Sequence, residues 1–291
     1  MKLLILFVVL PLAAVAQANF DTVKIRPLKL TENLHMLTGL GGNIAVLGGP
    51  EGVLMVDDQY APLSEKIKAA IQSLDPGSIR FVVNTHLHGD HSGGNENFRK
   101  LGATLMAHDR VRDRMMKESV NREGKTVPPR NPEAWPVVTF DQRLNVHLNG
   151  QDLELYHIDR GHTDGDVVVF FRNANVIHTG DAFVRDRYPF VDLTSGGNFL
   201  GYIHTLEQIY ALADDQTRII PGHGALGTRA DVKALRDVLA DIRDRVAAAK
   251  KKGIKREDIP GLGITDKYDA QLGKGFVKGK DFVLLVADEV K

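Results

Sequence analysis

Cysteine is absent from all 291 residues, so the chain has no disulfide framework and no thiolate can act as a nucleophile or metal ligand. Stability has to come from an ordinary core, which a chain of this length can bury. A surplus of charge is missing too, since 37 basic residues balance 37 acidic ones. No general field draws the chain to nucleic acid or to an anionic membrane surface, and no basic stripe supports nucleic-acid binding. Long apolar runs are confined to the start, where Met1-Lys2 precedes Leu3 to Val15, a stretch too short to span a bilayer comfortably. Ala14-Val-Ala16 or Ala16-Gln-Ala18 follows as a small-x-small cleavage site. Residues 1–18 therefore read as a secretory signal peptide, and residues 19–291 as one mature domain. A periplasmic or secreted bacterial location is expected, with no stable membrane insertion after cleavage.

Along the mature chain, apolar strands alternate with amphipathic helices. Leu34 to Leu37, Asn43 to Leu47 and Gly52 to Val56 read as strands, the first two joined by the glycine-rich Thr38 to Gly42. Apolar residues at Leu63, Ile67, Ala70, Ile71 and Leu74 have the three-four spacing of a helix, ended by Asp75-Pro-Gly77. Ile79 to Val83 is the next strand, then a helix over Asn95 to Leu101, a strand over Thr104 to Ala107 and a helix over His108 to Glu118. This order predicts an α/β layered architecture. The proline-rich Asn121 to Pro136 reads as a long irregular connection, a position where loops are often functional. Strands are predicted at 137–140, 143–148, 153–158, 167–171 and 218–220, and helices at 199–213 and 230–250. The tail from Asp258 carries Phe282 to Val286, expected as a strand or helix docked on the second half.

The densest chemistry lies at the end of the strand over Ile79 to Val83. His86, His88, Asp90 and His91 occupy six positions before Gly93-Gly94 releases the chain. Imidazole and carboxylate are the donors zinc takes at about 2.0 to 2.2 Å, and an H-x-H pair on extended backbone points both side chains the same way. Gly89 permits a sharp turn that aims Asp90 and His91 at a second position beside the first. Metals in such pairs sit roughly 3.5 to 4 Å apart. Three further candidates follow apolar strands and have glycine neighbours: His162, Asp181 and His223. Singly, each could be a loop residue or a cap; together with the first cluster they form a donor set for two ions.

With Thr85-His-Leu-His-Gly-Asp-His91, Gly161-His162-Thr163, Thr179-Gly-Asp181 and Pro221-Gly-His-Gly224 in this order, the chain resembles the metallo-β-lactamase superfamily over about residues 30–225. The resemblance implies an αβ/βα four-layer sandwich with the site at one edge between the sheets. It implies that His86, His88 and His162 hold one zinc, that Asp90, His91 and His223 hold a second, and that Asp181 bridges them. Two Zn2+ ions are expected, with iron or manganese as alternatives. Asp90 is the catalytic candidate, orienting a water whose pKa the ions lower toward neutrality.

A small-molecule substrate follows, opened at a cyclic amide or ester, with β-lactam hydrolysis the leading specific reading. One departure from the pattern matters. The commonest β-lactamase subclass places a cysteine near Asp181, and this chain has none, so the donor set also looks like that of lactonases and hydroxyacylglutathione hydrolases. Export favours β-lactams, lactones and other extracellular esters over glutathione thioesters. A nuclease fits poorly with zero net charge, and a non-catalytic metal-binding protein fits poorly with all seven positions filled. Around the site, Leu40 to Asn43 are candidates for a flap, and Trp135, Phe183, Tyr188 and Phe190 belong either to an apolar wall or to the core; Arg185 and Arg187 read first as a solvated pair, with a substrate carboxylate as the alternative partner. His178 is close enough in sequence to support Asp181.

Overall fold

A computed structural model describes residues 19–120 and 125–290; the signal-peptide reading of residues 1–18 lies outside the described residues. Strands β1 (Arg26–Lys29), β2 (Leu34–Thr38), β3 (Ile44–Leu47) and β4 (Val53–Val56) run antiparallel to one another in sequence. Helix α1 (Ser64–Leu74) crosses to β5 (Ile79–Val83), which pairs parallel with β4. Short helices α2 (Gly89–Ser92) and α3 (Asn95–Lys100) lead to β6 (Thr104–His108) and α4 (Asp109–Met115). A separate two-stranded hairpin, β7 (Ser119–Val120) with β8 (Thr126–Val127), precedes β9 (Val138–Phe140), the last strand of this seven-stranded sheet.

The second sheet has six strands in chain order: β10 (Arg143–Leu148), β11 (Gln151–Ile158), β12 (Asp166–Phe171), β13 (Val176–His178), β14 (Arg218–Ile220) and β15 (Gly227–Thr228). Helix α5 (Phe199–Leu212) links β13 to β14, and α6 (Arg229–Lys251), α7 (Asp266–Leu272) and α8 (Gly279–Glu289) close the chain. Phe282 to Val286 is thus helical. Helix α6 starts at a capping box in which Thr228 and Asp231 satisfy each other's backbone N–H groups.

Three apolar layers explain the stacking. Leu34, Met36, Leu47, Leu54, Val56 and Val83 of the first sheet face Leu153, Leu155, Val167, Val169, Phe171 and Ile220 of the second. On the outer face of the first sheet Val53, Met55 and Leu105 pack on Ile67, Ile71 and Phe98. On the outer face of the second, Val168, Phe170, Ile177 and Ile219 pack under α5, α6 and α8. Strands β3, β4 and β12 are buried along their whole length, as strands covered on both faces must be. The result is the expected αβ/βα sandwich.

Some boundaries differ from the sequence expectation. Helix α4 stops at Met115 rather than Glu118, because residues 119 and 120 pair with Thr126 and Val127. The connection expected to be irregular over 121–136 contains β8 and a 3-10 turn at Pro132–Ala134. No helix among the described residues is long and apolar enough to cross a membrane.

Candidate metal centre

The site forms where strand ends of both sheets meet. Strand β4 ends in Asp57, β5 in the turn that carries His86 and His88, β13 in Asp181 and β14 in Pro221 to His223. His162 comes from the turn between β11 and β12. All seven residues singled out in the sequence converge. Three groups have donor atoms within 4.8 Å of one another: His86, His88 and His162; His86, His91 and Asp181; Asp90, His91 and His223. His88 Nδ1 lies 2.9 Å from His162 Nε2, and His91 Nε2 lies 3.3 Å from His223 Nε2. Asp181 presents one oxygen to each side, Oδ2 at 3.7 Å from His162 and Oδ1 at 3.3 Å from His91 and 3.4 Å from His223.

The donor set fits a divalent ion. His86 Nε2 is buried with no hydrogen-bond partner, a costly state for a polar atom unless a ligand completes it. Crowding is tolerated through glycine: a Cβ on Gly222 would overlap Asp181, and one on Gly42 would overlap the His91 ring.

Groups behind the donors hold them in place, and the sequence reading assigned none of these. Asp57 is fully buried, with Oδ2 at 2.7 Å from His91 Nδ1 and at 2.7 Å from the Thr85 hydroxyl, which donates to it. Thr85 Oγ1 in turn lies 3.1 Å from His86 Nδ1. Asp192 Oδ2 sits 2.9 Å from His88 Nε2, while its Oδ1 accepts from the backbone of Thr194 and Ser195 and from the Thr194 hydroxyl. The carbonyl of Phe190 lies 2.7 Å from His162 Nδ1. Asp166 accepts from the N–H groups of His162 and Thr163, and burial raises its pKa to about 7. One signal for Asp57 was legible, a carboxylate closing an entirely apolar strand; Asp192 lies 104 residues from His88 and had none. His178 bridges the sheets, with Nε2 at 3.0 Å from the carbonyl of Asn43 and Nδ1 accepting from the N–H of Gly180.

Burial sets the electrostatics, and neighbouring charges then divide the centre. Burial, reinforced by neighbouring imidazoles, pushes His86 well below the ordinary histidine value. Burial also brings His162 down to about 4, against the pull of Asp181. Burial opposes the charged form of His91 as well, yet Asp181, Asp90 and Asp57 hold it well above the ordinary value. Despite burial, His91 and His223 bring Asp90 down to about 2, and His223, His91 and His162 keep Asp181 well below the usual carboxylate range.

A cleft of about 750 Å³ opens on His88, Asp90, Asp181 and His223. Its surroundings decide between the alternatives that the sequence left open. Of the four aromatics placed either in its wall or in the core, Phe190 lines it and the other three do not. Phe183 and Tyr188 are 1% exposed in the core, and Trp135 packs beside Leu87 on the Ala107, Val111 and Met115 cluster. The turn expected as a flap is tied down: Gly42 N–H donates to the Asp90 carbonyl, Asn43 N–H to the Gly222 carbonyl, and the Asn43 amide to the Pro221 and Gly224 carbonyls. It forms a fixed wall of a second opening, shared by Leu40, Tyr60, Asp90, Arg187, His223 and Phe276. Arg185 is engaged by Asp231 and the Leu226 carbonyl, whereas Arg187 faces this opening with its Nε buried and without a hydrogen-bond partner.

Comparison with known proteins agrees with this geometry. Residues 37–223 match the family model of the metallo-beta-lactamase superfamily. A metallo-beta-lactamase type 2 of Bacteroides fragilis is 26% identical over 155 residues, 53% of this chain and 57% of that protein. A hydroxyacylglutathione hydrolase of Pelagibacter ubique is 28% identical over 163 residues, 54% of this chain and 57% of that protein. The match thus spans little more than half the length of these relatives. The solved structure of a metallo-beta-lactamase from Pontibacter korlensis shares the fold, with a TM-score of 0.63 at 17% identity over 75% of this chain and 100% of that one.

Proposed function

The chain belongs to the metallo-beta-lactamase superfamily, and on that premise we propose that it is a two-zinc hydrolase that opens a cyclic amide or ester, with β-lactams as its leading substrates. The observation that carries the reading is the convergence of six donors around Asp181, whose two oxygens face the two ligand groups. In this reading His86, His88 and His162 would hold one ion, Asp90, His91 and His223 the other, and Asp181 would contribute to both. Bound ions supply an activated water at neutral pH and polarise the scissile carbonyl.

The chain's own residues do the rest. Asp90, ionised at neutral pH, lines the cleft and is placed to orient the attacking water and take its proton on a carboxylate oxygen. As the water oxygen bonds to the carbonyl carbon and the ring C–N or C–O bond breaks, that proton passes to the departing nitrogen or oxygen. No serine nucleophile is needed, and the Ser92 hydroxyl is spent on the carbonyls of Leu87 and His88. Arg187 supports the β-lactam choice: its position beside Asp90 and His223 suits the carboxylate that β-lactams carry.

The all-nitrogen-and-oxygen donor set favours a second reading, a lactonase or thioesterase. A chromogenic cephalosporin, an acyl-homoserine lactone and a glutathione thioester assayed in parallel with zinc-loaded protein separate the two. Fastest turnover of the cephalosporin is expected; faster turnover of either other substrate would move the assignment to the second reading. Unchanged hydrolysis by His88→Ala would sink the two-metal assignment for both. Export is part of the same proposal, and periplasmic fractionation of the full-length chain in a bacterial host tests it.

A further inference from the structure

We infer that Arg130 is a positioning residue for the metal centre: its guanidinium fastens both ends of the turn that carries His88, Asp90 and His91, and so serves the two ligand groups together. Nη2 donates to the carbonyl of Leu87 at 2.6 Å. Nη1 donates to the carbonyl of Ser92 at 2.9 Å and to its hydroxyl at 3.0 Å. Leu87 and Ser92 flank residues 88–91, which supply His88 to the first group and Asp90 and His91 to the second. A planar guanidinium with rigidly spaced donors can hold two acceptors at once, which a lysine ammonium on its flexible stem does less well. These bonds go to backbone and to Ser92, so Arg130 acts through the shape of the turn.

The arginine comes from a distant part of the chain and is itself held. Its backbone N–H donates to the Met115 carbonyl at the end of α4 at 2.9 Å, and its carbonyl accepts from the Trp135 indole N–H at 3.0 Å. Asn131 caps the 3-10 turn that follows, and the Asn95 amide of α3 donates to the Ala134 carbonyl within that turn. The proline-rich connection between β8 and β9 is thus a brace, with Arg130 its contact to the metal turn. Buried Asp58 adds two ties just beyond: its N–H donates to the His91 carbonyl at 2.7 Å, and its Oδ1 accepts from the Gly94 N–H at 2.8 Å. Arg130 therefore differs from the supports behind single donors. Asp57 and Asp192 each meet one imidazole of the centre, whereas a turn released at both ends frees His88 and the Asp90–His91 pair alike.

Amide hydrogen exchange of the metal-free full-length protein tests the fastening. The N–H groups of His91 and Ser92, both bonded to the His88 carbonyl, should exchange ~10-fold or more faster in Arg130→Gln, the scale of one charge-assisted hydrogen bond, while amides of β3 and β12 keep their rates. No change at the turn, or an equal rise in those strands, would overturn the inference. Arg130→Lys keeps the cation and loses the fork, and serves where Arg130→Gln does not fold; it should show the same local change, and full protection in it would overturn the two-ended fastening. Zinc competition with a chromogenic chelator is the second arm, and it rests on the two-zinc reading. Both ions should bind roughly 10-fold more weakly in the variant; weakening of one alone, or of neither, would overturn the shared role. Unaltered protein that takes up no zinc, with the local exchange change present in Arg130→Gln, would support the fastening and sink the two-zinc reading instead.

Discussion

His86, His88 and His162 cluster on one side of the candidate metal centre, and Asp90, His91 and His223 on the other; the two sides have opposite electrostatic plans. On the first side every donor is an imidazole whose far nitrogen is tied, to Thr85, Asp192 and the Phe190 carbonyl respectively. Burial keeps His86 and His162 neutral, the form that accepts a metal. The second side includes a carboxylate, and its buried His91 is held protonated by Asp181, Asp90 and Asp57 against the effect of burial. An ion entering there has to displace a proton, and one entering the first side does not. The two groups of donors that Asp181 faces should thus respond differently to pH and to loss of their supports.

The largest effect is expected where the sides meet. Asp181→Ala should remove hydrolysis to background and lower zinc on both sides, read by metal analysis of the dialysed protein; a variant still holding two ions would show that the sides do not share this residue. Next come the supports. Asp192→Asn should weaken the first side, and Asp57→Asn the second, each by roughly 10- to 100-fold in metal affinity, measured by competition with a chromogenic chelator. Equal weakening of both sides by Asp192→Asn would break the distinction.

The pH dependence sharpens it further. Because His91 has to give up a proton before it can accept an ion, zinc affinity on the second side should fall more steeply with falling pH than on the first side, where burial already keeps His86 and His162 neutral. In the metal-free protein the sign for His162 is equally definite. Unfolded it titrates near 6.5 and folded near 4, so between those values the unfolded chain binds more protons. Its contribution to stability is present above pH 6.5 and is lost as pH falls toward 4. Thermal melts across that window should show the decline, with His162→Asn flattening it. The smallest effect belongs to the substrate end: Arg187→Ala should raise KM for an anionic cephalosporin about 10-fold, the scale of one charge-assisted hydrogen bond, while barely moving a neutral lactone.

The strand-helix alternation and the apolar runs carried the layered architecture, because period-two and period-3.6 patterns are local properties of the chain. The seven donors were legible for a related reason: imidazoles and carboxylates crowded after apolar strands are hard to explain otherwise. The supports were not. Asp192 reaches His88 across 104 residues, and its neighbours in sequence give it no distinguishing mark. The aromatics were left open between wall and core because Phe183, Tyr188 and Phe190 lie within eight consecutive positions, and composition cannot say which of them turns inward. The Leu40 to Asn43 turn was expected to be a flap on its glycines alone, yet hydrogen bonds from Gly42 and Asn43 fasten it to the metal loops.

By itself, the sequence determined the donor chemistry of this protein: which atoms can bind a metal, that no thiolate is among them, and that they sit at strand ends. Only the tertiary structure decided which donors pair, which are held neutral or charged, and that Arg130 reaches the turn that carries three of them. Donor identity is written in single residues, whereas protonation, orientation and cleft shape arise from burial and from contacts between segments far apart in the chain. Those quantities exist only once the two sheets have closed on each other.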